Sequence, residues 1–239
     1  MTDRPVVIQQ DGHVIQKFKT CYRIDGIRYD RISAVLDVIA KPGLDAWEQK
    51  HGPEKAAQLL QEAGDTGTLV HALVERVDRG EVPWPGFLYE DSDGFWWIQV
   101  QGGQLDPYYR AYCLWRPQHV RQTILAERVI WSEVYGYAGT FDKLDELLTG
   151  EIALLDVKSS GYLSWTYRLQ TAAYVIAVLE HQHLVPDIDV RGIVHMSSKK
   201  LGTCRLVPYR GELEQAKSRW LSALDVYQGS MEWADDWKY

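Results

Sequence analysis

Residues 139–160 read GTFDKLDELLTGEIALLDVKSS, and this stretch decides the predicted fold. It holds two strand-like segments joined by the short turn LTGE, for which antiparallel pairing is the simplest connection. Residues two apart on a strand point to the same side, so Asp156 and Lys158 share a face. Pairing of the two segments would bring Asp142 close to Asp156. The stretch therefore predicts two carboxylates and a lysine gathered at one place on a sheet.

This combination of charges indicates a metal site. Two carboxylates that converge in a partly apolar setting repel each other unless a cation lies between them. Lys158 supplies one positive charge, and a divalent metal would supply the rest. Carboxylate oxygens with water suit Mg²⁺ or Mn²⁺, and such a site fits metal-assisted phosphodiester hydrolysis. A single D-x-K is also typical of a structural ion pair, so the neighbouring residues are needed to distinguish a metal site from an ion pair.

Composition bounds the class of protein. The chain has 239 residues, 46% hydrophobic and 25% charged, which fits one α/β domain with an ordinary core. No apolar run approaches the ~20 residues that cross a bilayer, and the start, MTDRPVVIQQDG, lacks a signal-peptide pattern. Cys21, Cys113 and Cys204 are scattered and predict neither a disulfide framework nor a zinc knuckle. A cytoplasmic protein without a membrane partner is expected.

The net charge of −7 has the wrong overall sign for a nucleic-acid partner, because phosphate binding gains affinity from Lys and Arg that release counterions. Carboxylates around a metal would add negative charge, and basic groups can still be local. Ten Trp and fourteen Tyr predict core packing for most of these residues, with the others left to stack on bases. The charge balance alone leaves a nucleic-acid partner open.

The pattern of elements is mixed. Strand-like alternation with DG turns predicts a small β element over the first ~30 residues, and helices are predicted over 33–41, 44–51, 54–63 and 65–80. The Pro- and Trp-rich segment 81–120 becomes helical around PYYRAYCLWRP and is otherwise left open as a lid, a clamp or peripheral packing. After the hairpin, the sequence predicts a helix over about 162–183, strands over 190–197 and 203–208, and a terminal helix over 211–228.

The remaining charged residues have less decisive patterns. Asp145, Glu146 and Glu151 flank the hairpin and are expected to be solvated. The acidic and aromatic tail, MEWADDWKY, is expected to be a surface segment or a partner-docking peptide.

Four short motifs occur in order along the chain. They are G-x-x-x-H at Gly67–His71, G-x-x-D at Gly139–Asp142, D-x-K at Asp156–Lys158 and Q-x-x-x-Y at Gln170–Tyr174. Together they resemble the PD-(D/E)xK nuclease superfamily, and more narrowly its RecB-type branch. The segment ISAVLDVIAKPGLDAWEQK is also similar to the N-terminal region of phage-encoded exonucleases and of the mitochondrial genome maintenance exonuclease.

The resemblance implies a fold and a set of site residues. The fold would be α/β, a restriction-endonuclease-like core with a twisted mixed β-sheet flanked by helices and with helical N-terminal additions. Asp142 and Asp156 would be metal ligands, with the Val157 carbonyl as another, and Lys158 would position or activate the attacking water. His71 would be a metal ligand or a contact to the phosphate.

A glutamate on the strand before G-x-x-D often completes such a site. The resemblance makes Glu127 the choice, with Glu133 as the alternative. Gln170 would bond near the active site or to DNA, and Tyr174 lies one helical turn later on the same face. Further candidates for DNA contact are Tyr174 itself, Arg168, Ser159, Ser160, Lys199 and Lys200. Three isolated cysteines cannot supply the four ligands of the iron–sulfur cluster found in some RecB-type relatives, so no cluster is expected.

The resulting expectation is a Mg²⁺- or Mn²⁺-dependent DNA exonuclease that prefers single-stranded DNA or DNA ends. Its setting would be phage-type recombination, replication or DNA degradation in the cytoplasm of an infected bacterial host, with a single-strand-binding or recombination protein as a further partner. Residues 1–120 would hold the DNA-passage elements, 121–210 the catalytic core and 211–239 the C-terminal helix and tail. The alternatives are a structure-selective endonuclease and a catalytically idle DNA-end-binding recombination partner.

Overall fold

The computed structural model describes residues 5–39, 41–91, 94–181 and 187–236. The strands in these residues are β1 (Val6–Gln10), β2 (His13–Lys17), β3 (Cys21–Ile24), β4 (Ile27–Arg31), β5 (Gly86–Asp91), β6 (Gly94–Gln99), β7 (Val120–Ser132), β8 (Tyr137–Leu147), β9 (Ile152–Lys158), β10 (Val190–His195) and β11 (Arg205–Pro208). The helices are α1 (Ile32–Leu36), α2 (Pro42–His51), α3 (Pro53–Asp78), α4 (Asp106–His119), α5 (Tyr167–Glu180) and α6 (Leu213–Asp236).

Nine of these strands form one mixed sheet, in the order β1-β2-β3-β4-β8-β9-β10-β11 with β7 also paired to β8. The predicted antiparallel pairing of β8 with β9 is present, with Lys143 opposite Leu155 and Glu146 opposite Ile152. Strand β10 returns parallel to β9, after the crossover through α5. Strands β5 and β6 form a separate hairpin.

Strand β8 has an interrupted edge. Strand β7 pairs with one edge along nearly the whole length of β8. On the other edge, β4 pairs in parallel with Tyr137 and Ala138, and β9 pairs from Lys143 onwards. Among the described residues, no strand pairs with 139–142 on that edge. We call this interval the β8 gap.

Helices cover both faces of the sheet. Leu154 of β9 packs in a cluster with Ala172 of α5 and Trp220 of α6, whereas Leu155 packs with Leu73 of α3 and Tyr112 of α4. Successive residues of a strand point to opposite faces, so α5 and α6 lie on one side and α3 and α4 on the other. The expected α/β class, a mixed sheet flanked by helices, is confirmed, and the order is compatible with a restriction-endonuclease-like core.

Helix α3 differs from the prediction. Two helices were expected, over 54–63 and from Asp65, but one helix of 26 residues runs through both. The polar residues that suggested a new N-terminus satisfy the preceding turn instead. The hydroxyl of Thr66 donates to the carbonyl of Glu62, and that of Thr68 donates to the carbonyl of Gly64. Such bonds keep Thr inside a helix rather than at its cap.

Helix α5 begins later than expected, at Tyr167 rather than 162. The hydroxyls of Ser164 and Thr166 are 2.7 Å apart, and the backbone N–H of Thr166 donates to the Ser164 hydroxyl. These local bonds favour a turn over helix. The predicted helix end at 182–183 lies outside the described residues.

Other element ends also shift. Helix α1 is shorter than predicted, and Ala40 lies outside the described residues. Helix α6 continues to Asp236, so most of the predicted tail is helical, and 237–239 lie outside the described residues. The segment left open at 81–120 forms the β5–β6 hairpin and α4, and residues 1–4 of the N-terminal β element are not described. None of the described helices is long and apolar enough to cross a membrane.

The expectation for the charges around the hairpin was wrong for Asp145. Its side chain is fully buried and pairs with Lys143, with Oδ2 and Nζ 3.1 Å apart. The same Nζ lies 2.6 Å from Oδ2 of Asp78, at the end of α3, and Asp78 also accepts a bond from Arg116 of α4. Strand alternation places Lys143 and Asp145 on one face, but it could not reveal their burial, because Asp78 and Arg116 come from helices far away in sequence. We call Lys143, Asp78, Asp145 and Arg116 the buried ionic cluster.

Candidate metal centre

The β8 gap lies at the centre of a group of titratable side chains. Asp142 occupies the gap, and His71 reaches it from the middle of α3, with Nδ1 3.3 Å from Oδ1 of Asp142. The same His71 nitrogen is 4.0 Å from Oε1 of Glu127 on β7. Asp156 and Lys158 form an ion pair at the end of β9. The structure thus brings together four residues of the motifs and Glu127, the glutamate that the resemblance selected.

Asp142 also bridges the gap. Its Oδ2 accepts a hydrogen bond from the backbone N–H of Val157, at a point where the β8–β9 ladder has ended. The carboxylate therefore replaces a missing backbone partner and fixes the ends of the two strands relative to each other. The contact of Val157 with Asp142 is made through its N–H. The role of its carbonyl as a metal ligand stays a prediction.

Glu127 has a strained backbone, with φ of 50°. This left-handed conformation is uncommon for a residue other than glycine, Asn or Asp, and costs roughly 1–3 kcal/mol when the surroundings impose it. The residues on either side of it, Ala126 and Arg128, keep their pairing with β8. The strain is therefore local to the residue whose carboxylate joins the cluster.

Glu133, the alternative to Glu127, lies elsewhere. Its backbone N–H donates to Glu180 at the end of α5, and its carboxylate is 3.4 Å from the indole nitrogen of Trp131. Of the two glutamates, only Glu127 lies with His71 and Asp142.

The donor set fits a divalent metal. One ligand atom each from His71, Glu127 and Asp142 lie within 4.8 Å of one another. Two carboxylates with an imidazole are ligands that divalent cations such as Mn²⁺ accept, and Mg²⁺ would use the oxygens with water. Asp156 is buried beside this group.

Burial opposes the charge on His71, but the carboxylate of Asp142 outweighs it and raises the pKa of His71 to about 9. Burial likewise works against ionisation of Asp142, yet His71 and Lys158 hold the pKa of Asp142 below its usual value. Asp142 is therefore the anionic centre of the group, and His71 is protonated at neutral pH when no metal competes.

The other two carboxyls behave differently. Burial, together with the charge of Asp142, raises the pKa of Glu127 to about 8. Burial also raises the pKa of Asp156 to about 6, with partial compensation from Lys158. The pKa of Lys158 is raised despite burial, because Asp156 and Asp142 stabilise the ammonium. Lys158 therefore stays protonated, which favours a role as a cationic donor over a role as a base.

Gln170 holds Asp156 from α5. Its side-chain amide donates to Oδ1 of Asp156 at 3.1 Å and to the hydroxyl of Tyr174 at 2.8 Å. Tyr174 is only 3% exposed, and with Gln170 it lines a cavity at the carboxylates. The Q-x-x-x-Y motif thus forms a chain of hydrogen bonds that orients one carboxylate, and a contact of Tyr174 with DNA stays a prediction.

Gly139 explains the glycine of G-x-x-D. A Cβ atom there would lie 2.6 Å from Cδ1 of Ile32 and 2.9 Å from Cε1 of Tyr174. By contrast, a Cβ at Gly67 would meet only the Ser159 hydroxyl, at an ordinary 3.5 Å.

We expect Gly139→Ala to destabilise the protein by about 1–3 kcal/mol, because the added methyl group overpacks Ile32 and Tyr174. Gly67→Ala is the matched control and should be neutral or stabilising by up to about 1 kcal/mol, since alanine replaces a mid-helix glycine. Urea unfolding of both variants measures the difference. Equal stabilities of the two variants would contradict the packing argument.

The remaining candidates for DNA contact are dispersed. Arg168 pairs with Glu212 at 2.7 Å and lies over the ring of Tyr209, so its charge is already engaged. The ammonium of Lys199 lies 3.5 Å from the ring centre of Tyr162. Lys200 lies in the exposed turn after β10. These three basic residues are not gathered around the carboxylates.

Ser159 and Ser160 do lie beside the cluster. Two cavities meet at His71 and Lys158, one of about 280 Å³ at the carboxylates and one of about 760 Å³ leading away from them. The larger cavity is lined by both serines, by the middle of α3 and by the start of α4. It forms a passage between the cluster and the protein surface.

Sequence reasoning missed several residues at the smaller cavity. They come from the N-terminal strands and α1: Lys17, Tyr22, Arg31, Ile32 and Ser33. Tyr167 was also missed, and its ring lies 4.9 Å below the ammonium of Lys158. Only the resemblance of the segment beginning at Ile32 pointed to this region, and it named no side chain.

No family model matches this chain, and no curated protein matches it. Nineteen chains of solved structures are similar to it. One is the crystal structure of a "Putative exonuclease" from Eubacterium rectale, with a TM-score of 0.43 and 14% sequence identity. The match covers 69% of this chain and 68% of that chain. A likeness at this level does not carry an activity over, so the function has to be argued from the site.

Proposed function

We propose that this protein is a divalent-metal-dependent deoxyribonuclease that acts as an exonuclease. The observation that carries the proposal is the set of ligand atoms from His71, Glu127 and Asp142 within 4.8 Å of one another, next to the Asp156–Lys158 ion pair. Carboxylates that converge on a cation site, with a fixed ammonium beside them, are the parts that phosphodiester hydrolysis needs.

Each residue has a role in the proposed reaction. His71, Glu127 and Asp142 would hold the metal, with Asp156 as a further ligand. When bound, the metal neutralises charge on the phosphate and lowers the pKa of water. Lys158, held by Asp156 and by the ring of Tyr167, donates a hydrogen bond to negative charge that develops at the phosphate.

Gln170 acts through Asp156 and is a positioning residue. We expect Gln170→Ala to lower metal affinity and cleavage by about 10–100-fold, because partners that orient metal ligands have effects of this size. Gln170→Glu is a second test, since it keeps the length of the side chain but places a further carboxyl beside Asp156, and it should also lower cleavage. Mn²⁺ titration followed by cleavage assays measures both, and parental affinity in Gln170→Ala would remove Gln170 from the site.

The finer assignment rests on the motif resemblance. It includes Mg²⁺ or Mn²⁺ as the ion, single-stranded DNA or DNA ends as the substrate, and phage-type recombination, replication or DNA degradation as the setting. The passage lined by Ser159 and Ser160 supports entry of a strand with a free end.

The direct test uses end-labelled linear single- and double-stranded DNA and circular single-stranded DNA, each with Mg²⁺ or Mn²⁺. The linear substrates should be degraded and the circle should stay intact. Cleavage of the circle would replace the exonuclease by an endonuclease. DNA binding without any metal-dependent cleavage would favour the catalytically idle alternative.

Metal binding should release protons at neutral pH. His71, with a pKa of about 9, and Glu127, with a pKa of about 8, hold protons at pH 7, and the metal must displace them to use these atoms. Metal affinity should therefore rise with pH up to about pH 9. Calorimetric titration of Mn²⁺ in two buffers with different ionisation enthalpies measures the release, and identical heats in both buffers would contradict the assignment.

A further inference from the structure

The smaller cavity has a second wall that the proposed reaction does not use. Glu127, Asp142 and Asp156 line it on the side of the central strands. Lys17, at the end of β2, and Arg31, at the end of β4, line it from the N-terminal strands. Neither of these two cations belongs to any of the four motifs. Two cations that face a metal site across a cavity need an explanation.

Lys17 is partly buried and is not paired. Within the described part of the chain, no hydrogen bond or ion pair joins its ammonium to another residue. Burial lowers the pKa of Lys17, and the charge of Glu127 opposes this effect only in part. A partly buried ammonium without a partner is unfavourable unless an anion completes it.

Arg31 is held in place but is not saturated. Its Nη1 donates to the carbonyl of Phe18 at 2.9 Å, and its guanidinium lies 5.6 Å from the ring centre of Tyr22. A guanidinium has five N–H donors in a planar fork, so most of its capacity remains for another acceptor. An anion of tetrahedral oxygens suits this fork better than a single carbonyl does.

The N-terminal strands are anchored at the β8 gap, which makes the second wall rigid. Lys17 pairs across the ladder with Tyr22, and the Tyr22 hydroxyl is 3.1 Å from the hydroxyl of Thr140 in the gap. Arg31 itself pairs with Ala138 at the start of β8. The two cations are thus positioned relative to Asp142 by backbone pairing and not by flexible loops.

We propose that Lys17 and Arg31 bind a backbone phosphate of the DNA strand next to the phosphate that is hydrolysed. The proposal rests on the proposed function for the identity of the strand. The chemistry required is that of a phosphodiester anion, to which Lys17 contributes a point charge and Arg31 a forked pair of donors. It also explains how a protein with a net charge of −7 can hold DNA, since the positive charge is local to the site.

The test measures binding separately from cleavage. A labelled single-stranded oligonucleotide is titrated with Ca²⁺ in place of Mg²⁺ at several salt concentrations, and any cleavage is recorded in the same samples. Lys17→Met should weaken binding by about tenfold, as expected for a lost bond to a charged group. The slope of log affinity against log salt should fall by about 0.7, the value for one phosphate contact on a single strand.

Two controls separate a phosphate contact from a structural role. Lys17→Arg should restore the slope, because it restores the charge. Lys217→Met removes a lysine of α6 that does not line the cavity and should leave affinity and slope unchanged. Thermal unfolding shows whether Lys17→Met is as stable as the parent protein.

A single methylphosphonate linkage, moved along the oligonucleotide, locates the contact. At one linkage, the methylphosphonate should weaken binding by the parent protein by the same factor as the Lys17→Met substitution does with the unmodified oligonucleotide. The methylphosphonate at that linkage should not weaken binding by Lys17→Met any further. A purely structural role would instead lower the affinity of Lys17→Met equally at every linkage. An unchanged affinity and slope in Lys17→Met would overturn the proposal even if the protein cleaves DNA. DNA binding that depends on Lys17, without cleavage, would sustain it while the proposed activity fails.

Discussion

Asp142→Asn is expected to reduce metal-dependent DNA cleavage by at least about 100-fold while the fold stays intact. The amide has nearly the shape of the carboxylate and can still accept the N–H of Val157, so the bridge across the β8 gap persists. The negative charge is lost, and with it the anion that outweighs the burial of His71. The pKa of His71 should therefore fall towards or below its ordinary value. Cleavage of end-labelled DNA measures the first effect, and NMR titration of the imidazole measures the second.

Matched variants make this result specific. Glu127→Gln should lose activity as Asp142→Asn does, whereas Glu133→Gln, on the neighbouring turn and outside the cluster, should keep it. Lys158→Ala should also lose activity, because no other ammonium contacts Asp156 among the described residues. If Asp142→Asn degraded DNA at the parental rate, the metal site would be wrongly placed. If Glu133→Gln failed instead of Glu127→Gln, the third ligand would be wrong.

Lys143→Met is expected to destabilise the protein by about 3–5 kcal/mol, the range for breaking a buried ion pair from one side. Asp78 and Asp145 each lie within 3.1 Å of the Lys143 ammonium, and all three side chains are at most 1% exposed. Removing the ammonium leaves Asp145 without its cation. For a chain of this size, the melting temperature should fall by about 6–20 °C.

Two comparisons test the source of this loss. Lys55→Met removes an exposed lysine of α3 and should change the free energy of unfolding by no more than about 0.5 kcal/mol. Lys143→Met combined with Asp145→Leu removes the cation together with one of its anions and should recover part of the stability. A melting temperature of Lys143→Met within 2 °C of the parent, which corresponds to about 0.5–1 kcal/mol, would contradict the burial argument.

Local spacing accounts for the part of the molecule that could be predicted. Asp156 and Lys158 share a face because a strand alternates, and a short turn places Asp142 beside them. Both statements follow from the 17 consecutive residues from Asp142 to Lys158. The spacing of one helical turn places Gln170 and Tyr174 on one face, but it does not predict their burial or the hydrogen bond between them. The residues next to Glu127 in the sequence do not indicate its strained backbone, and only the motif resemblance selected that residue.

Long-range contacts account for the part of the molecule that could not be predicted from the sequence. The parallel pairing of β4 with β8 involves residues more than a hundred positions apart, and it alone brings Arg31 to the cavity. Asp145 was expected in solvent, although it shares a strand face with Lys143, because the residues that bury this pair come from α3 and α4, far away in sequence. The threonines of α3 were misread as a helix start because the same side chain can cap a new helix or bond within an existing one.

The β8 gap and the buried ionic cluster are joined by two adjacent residues, Asp142 and Lys143, which have opposite charges and different surroundings. Sliding β8 by one position one way would bring the ammonium of Lys143 among the metal ligands and Leu144 to Asp78, whereas the opposite slide would bring Phe141 among the metal ligands and the carboxylate of Asp142 to Asp78. Each slide breaks the ion pair of Lys143 with Asp78 and is electrostatically unfavourable, so this ion pair fixes the register of the strand. Lys143 is deeply buried outside the two cavities, and its ion pairing thereby maintains the alignment on which the metal ligands depend.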